Sequence, residues 1–192
     1  MNFHDASVAE LVRCLTSPED DVRTSGAKEF YRRGCELAEQ AIANWRRDSE
    51  IGALISKHAT VGIAVTPEHF AATRTALGNP DLADVPPEQD AQEFEWNVGE
   101  GVELDILTTR EPDGAGAIAR FLAKFGEGIQ QVEFPTPDIE RATEIIRSRL
   151  GVAAIYSATR AGADGTRVNF FLASTAGGKK VLIELVEASR RP

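Results

Sequence analysis

A chain of 192 residues, 42% hydrophobic and 27% charged, holds one sizeable domain or a domain with a small appendage, and its composition excludes wholesale disorder. Its net charge of −9 argues against a nucleic-acid groove and against an anionic membrane surface, since both select Lys and Arg. No apolar run approaches the ~20 residues that span a bilayer, Met1-Asn2-Phe3-His4-Asp5 opens no secretory signal, and Cys14 and Cys35 are too few for a disulfide framework or a Cys-based zinc site. The expectation is a cytoplasmic protein with buried free thiols.

Residues 5 to 57 read as helix. Val8, Leu11, Val12 and Leu15 form one apolar stripe. Ser17-Pro18-Glu19-Asp20 predicts the start of a second helix, with Ser17 as N-cap and Pro18 at the first helical position. Val22, Gly26, Phe30, Leu37, Ala41 and Trp45 continue it. Gly26 and Gly34 cost helix propensity, so a neighbour is expected to approach closely. The stretch looks like a single helical repeat, which cannot bury its own face alone and must dock on the domain C-terminal to it or on a second subunit.

From Thr60 the period changes to two. Val61, Ile63 and Val65 predict a strand, and Thr66-Pro67-Glu68 opens a helix to Leu77-Gly78. Gln92 to Val98 and Val102 to Thr108 predict a hairpin around Gly99-Glu100-Gly101. A linking helix is expected at 115–125, closed by Gly126. On the next strand Gln131 and Glu133 face one way and Val132 and Phe134 the other. That polar face is either solvated or lines a site. Thr136-Pro137-Asp138 opens a helix closed by Gly151, and strands are expected at 152–157, 167–174 and 180–187. Thr-Pro-acid recurs, Leu-Gly recurs, and Val102–Leu107 mirrors Val181–Val186. These repeats predict an internal duplication of a βαβββ unit. The fold class is therefore α+β: a helical N-terminal appendage over 1–57, then a domain over 58–190. That domain holds one module at about 58–110, the linking helix, and a second module at about 128–188.

Thr60–Val65, Gly126–Val132, Pro137–Ala142 and Val181–Glu187 resemble the methylmalonyl-CoA epimerases. These belong to the vicinal oxygen chelate superfamily, with glyoxalase I, extradiol dioxygenases and bleomycin-resistance proteins. The resemblance covers residues 60–187. It implies two βαβββ modules paired into an open barrel around a metal. It also implies where that metal's ligands would stand: Thr60 and Gln131 at the family's two His positions, Asp105 in the fourth strand, and Glu184 in the last. Glu184 alone matches outright. Glu88, in Pro87-Glu88-Gln89-Asp90, stands about where the family has its other catalytic carboxylate.

Thr60, Asp105, Gln131 and Glu184 form an all-oxygen set suited to a hard divalent cation such as Mg or Ca, and a metal-free site is the expectation. His58, two residues before Thr60, is an outside candidate ligand. Epimerisation needs one group to remove an α-proton and another to return it. Two carboxylates do this when burial makes them basic, and Glu184 and Glu88 are the candidates. Gln131, Thr60 and Glu133 are candidate substrate contacts. The implied function is an epimerase-like isomerase or lyase acting on a small carboxylic acid or its CoA thioester, in a homodimer. The alternative is a non-catalytic binding protein that sequesters a small molecule. Gly177-Gly178-Lys179-Lys180 reads as a turn, Lys179 and Arg167 as surface charge, and Trp45 and Trp96 as packing residues.

Overall fold

The computed structural model describes residues 3–188, so the expected domain end at 190 lies outside the described residues. Helix α1 (Val8–Leu15) opens on a capping box: Ser7 Oγ accepts from Glu10 N–H, and the Glu10 carboxylate accepts from Ser7 N–H. Helix α2 (Asp20–Ala41) starts later than Ser17-Pro18 predicts. Its first bond runs from Arg23 N–H to the Glu19 carbonyl, while the Arg23 guanidinium donates to the Ser17 carbonyl at 2.6 Å. Arg23 thereby holds the Ser17–Glu19 turn outside the helix. Gly26 meets its expectation, because a Cβ there would stand 2.6 Å from Cys14 Cβ. Trp45 does not continue α2. It lies on α3 (Ala43–Arg47), followed by α4 (Ser49–Leu54), and Arg46 reaches back to the carbonyls of Ile55 and Ser56. Neither cysteine is in a disulfide; Cys14 is buried and Cys35 half-buried.

The chain divides into two compact units, one of residues 1–33 with 60–130, the other of 34–59 with 131–192. Each takes a share of the helical stretch, and the first division falls inside α2.

In the first unit, strand β1 (Thr60–Ala64) is followed by α5 (Pro67–Ala76), a 3-10 turn (Pro87–Gln89), β2 (Ala91–Gly99), β3 (Val102–Thr109) and α6 (Ala117–Phe125). Strand β3 lies between β1, which it pairs in parallel, and β2, which it pairs antiparallel. Val61, Ile63, Leu104, Ile106 and Phe94 share the buried face, and Phe70 of α5 packs on Phe94 at 5.1 Å. Where a third strand of the module would run, the described backbone makes one bond to β2, Ala83 N–H to the Glu93 carbonyl, and one within itself, Val85 N–H to the Ala83 carbonyl. Pro80, Pro86 and Pro87 leave that segment short of donors.

The second unit repeats the plan with β4 (Gly128–Pro135), α7 (Ile139–Leu150), β5 (Arg160–Ala161), β6 (Arg167–Ser174) and β7 (Lys180–Glu187). Strand β7 pairs β4 in parallel and β6 antiparallel, and β5 edges β6. Residues 152–157 do not form the expected strand. They contribute one bridge, Ala154 to Phe171, and one bond, Ile155 N–H to the Phe170 carbonyl. This is an edge segment of small residues, Ala153 and Ala154, with little to bury. Val132, Phe134, Phe171, Ile183 and Leu185 form the buried face, and Trp45 meets Phe171 edge-on at 5.5 Å.

Candidate functional site

Strand alternation places Glu184 on the face opposite Ile183, Leu185 and the helices packed there. It is flanked across the ladders by Glu133 of β4 and Phe170 of β6. Gln131, two residues before Glu133, donates its amide N–H to Glu184 Oε2 at 2.5 Å. Glu184 is only 6% exposed, and a buried carboxylate needs such a donor. The structure therefore brings together Gln131, Glu133 and Glu184.

The first unit carries the duplicated counterpart. Asp105 pairs with Gly62 of β1 and Glu95 of β2, as Glu184 pairs with Glu133 and Phe170. The two registers make Asp105 the equivalent of Glu184, and Thr60, two residues before Gly62, the equivalent of Gln131. Asp105 is 7% exposed and Thr60 is half-buried. Glu88 lies exposed on the 3-10 turn. His58 is also exposed, in the segment before β1, where its backbone N–H donates to Ser56 Oγ at 3.0 Å.

Two clusters escape a reading from sequence. At the first, Glu127 Oε1 accepts from Thr66 N–H at 2.8 Å and Thr66 Oγ1 at 3.0 Å, and lies 2.7 Å from His69 Nδ1. Burial works to raise the Glu127 pKa, but the bonds from Thr66 and His69 outweigh it and hold the carboxyl below its ordinary value. The flanking Gly126 and Gly128 both have positive φ, 73° and 149°, which aims Glu127 at the N-terminus of α5. The doubled glycine was the only signal. At the second, Tyr156 meets Phe170 edge-on at 6.0 Å, and the Arg160 guanidinium sits 4.5 Å over the Tyr156 ring.

Asp138, Glu140 and Glu187 offer carboxylate oxygens within 4.8 Å of one another. Their charge is already used: Arg167 pairs with Glu140 and Glu187, Glu187 accepts from Ile139 N–H, and Asp138 caps α7 through Arg141 N–H. A cavity of about 600 Å³ in the second unit is lined by Trp45, Arg149, Val152, Leu172, Ser174 and Lys180 among others. Neither Gln131 nor Glu184 lines it, so the buried pair and not this cavity defines the candidate site.

Neither a family model nor a curated protein matches the sequence. Solved structures do. A methylmalonyl-CoA epimerase from Mycobacterium tuberculosis is 30% identical, with 71% of this chain and 88% of that one covered, at a TM-score of 0.55. A variant of the Streptomyces coelicolor methylmalonyl-CoA epimerase, in complex with 2-nitronate-propionyl-CoA, is 28% identical over 72% of this chain and 99% of its own, at a TM-score of 0.57. A methylmalonyl-CoA epimerase in complex with methylmalonyl-CoA and NH4+ is 28% identical over 71% of this chain and 95% of its own, at 0.54. Among the described residues no helix is long and apolar enough to cross a membrane.

Proposed function

For a chain that belongs to the vicinal oxygen chelate superfamily and shares the glyoxalase-like fold of the methylmalonyl-CoA epimerases, we propose an epimerase-like isomerase. It moves a proton at the α-carbon of a small carboxylic acid or its CoA thioester. The observation that supports this most is the buried Gln131–Glu184 pair on the sheet face opposite the helices.

The chemistry follows from that pair. The α-proton of a thioester leaves only to a base held against it, with the enolate oxygen met by a donor. Glu184 is the base. Gln131 fixes the orientation of its carboxylate, which removes the entropic cost of finding the reactive rotamer. Glu133, beside Glu184 in register, is a substrate contact. Inversion needs a second acid; Glu88, exposed on the 3-10 turn, is the candidate that the sequence offers, and E88Q is the check.

No step runs through a metal. The candidate ligands Thr60, Asp105, Gln131 and Glu184 include no imidazole, so they fit zinc or cobalt poorly and would suit only a hard cation such as Mg or Ca, and no proton transfer is assigned to one. The same want of a strong electrophile favours a second reading, a binding protein that holds the ligand without turning it over.

Incubation with methylmalonyl-CoA in heavy water separates the two readings. The isomerase incorporates one deuteron at the α-carbon, read as a one-dalton mass increase. Binding without exchange, with and without added Mg or Co, leaves only the sequestering protein. Neither binding nor exchange overturns both.

A further inference from the structure

Arg160 is placed by two independent features on the same face as Glu184. It pairs in register with Val168, which pairs with Val186, two residues from Glu184 on β7. Its guanidinium also lies over Tyr156, whose ring meets Phe170, the residue directly across from Glu184. Two strand spacings of ~4.8 Å and two residues of ~3.3 Å separate the Arg160 and Glu184 backbones by roughly 12 Å. An arginine side chain covers about half of that, leaving a gap that a short acyl chain fills.

Three other arginines of this unit are engaged with carboxylates. Arg141 holds Glu50 and Glu144, Arg149 holds Asp48 and Glu50, and Arg167 holds Glu140 and Glu187. Arg160 holds no carboxylate among the described residues; its guanidinium is exposed, with a ring beneath it. A guanidinium pinned flat on an aromatic ring keeps its N–H edge turned outward and loses less entropy when it grips an oxyanion.

We infer that Arg160, seated on Tyr156, is the anchor for an oxyanion of the ligand and that Tyr156 and Phe170 form the apolar wall along which the acyl chain lies. This rests on the proposed thioester reading and deepens it by adding a specificity-determining cation. The oxyanion is either the second carboxylate of the acyl group or a phosphate of CoA; guanidinium binds both by the same paired hydrogen bonds.

The test is NMR titration of the full chain, wild type, R160Q, R160K and Y156L, following the Tyr156 and Phe170 ring resonances. The probes are methylmalonate, methylmalonyl-CoA, propionyl-CoA and free CoA. R160Q is expected to weaken the anionic ligand at least tenfold, R160K less, and Y156L about threefold. Loss confined to methylmalonate and methylmalonyl-CoA assigns the carboxylate. Loss that extends equally to propionyl-CoA and free CoA assigns the phosphate. Methylmalonate held through Arg160 by a protein that binds no thioester keeps the anchor and ends the thioester reading. R160Q binding every probe within twofold of wild type overturns the anchor, as does the absence of any Tyr156 or Phe170 shift in wild type.

Discussion

Glu184 is almost fully buried, and its carboxyl accepts from the neutral amide of Gln131. The amide orients the acid without bringing a charge of its own, which suits a base. E184Q keeps the shape and removes the basicity. It is expected to cut α-proton exchange at least a hundredfold while methylmalonyl-CoA binds within threefold of wild type, measured by deuterium uptake beside calorimetry. Exchange within threefold of wild type would reduce Glu184 to a structural acid. This residue was legible in the sequence because an acid between Val181-Leu182-Ile183 and Leu185-Val186 stands out against strand alternation. Arg160 and Tyr156 were not. Their contact depends on an edge segment that runs beside β6 with one bridge and a two-residue strand, and no periodicity announces it. Glu88 is nominated by its place in the sequence alone; the 3-10 turn leaves it exposed, so its role as the second acid rests on E88Q.

Elements whose ends are fixed by local chemistry were legible, and those fixed by distant groups were not. Helices α5 and α7 open at Thr66-Pro67-Glu68 and Thr136-Pro137-Asp138 as expected, capped by Thr66 and by Asp138. The start of α2 falls after Ser17-Pro18 because the Arg23 side chain, from within the helix, holds the Ser17 carbonyl. The same helix carries an acid switch. Glu29 takes a two-pronged grip from Arg32 and a further bond from Arg33 Nε, while Arg33 Nη2 donates to the carbonyls of Phe3 and His4. The Arg32 hydrogen bonds, against the cost of burial, and then those of Arg33 lower the Glu29 pKa from 4.5 to about 2. A carboxyl more acidic in the folded state stabilises that state above its unfolded pKa and ceases to do so as pH falls toward its folded one. The urea midpoint of wild type is therefore expected to exceed that of E29Q at pH 6, with the gap closing steadily between pH 4.5 and 2. A gap that stays constant over that range would mean that Glu29 contributes by packing and not by charge.

At the scale of the whole chain the open question is whether the helical stretch is an appendage or core. Duplication of the strand pattern made the two modules visible in sequence, since each copy supports the other. The helical residues have no such copy, and one amphipathic stretch does not say which surface it covers. In the second unit, residues 34–59 supply Ile42, Trp45, Ile51 and Ile55, all at 3% exposure or less, and Arg46 lies 5.1 Å over the Phe134 ring. Trp45 bears on Phe171, itself in register with Ile183, the neighbour of Glu184. A large aromatic removed from such a position costs about 3–5 kcal/mol. W45A in the full chain is expected to lose that much on urea unfolding and to lower the exchange rate with it, because the strand that carries Glu184 loses its backing. An appendage predicts a loss under ~1 kcal/mol and unchanged exchange. Truncation to residues 58–192 sharpens the contrast: as core, its removal abolishes cooperative unfolding; as appendage, it leaves the transition intact.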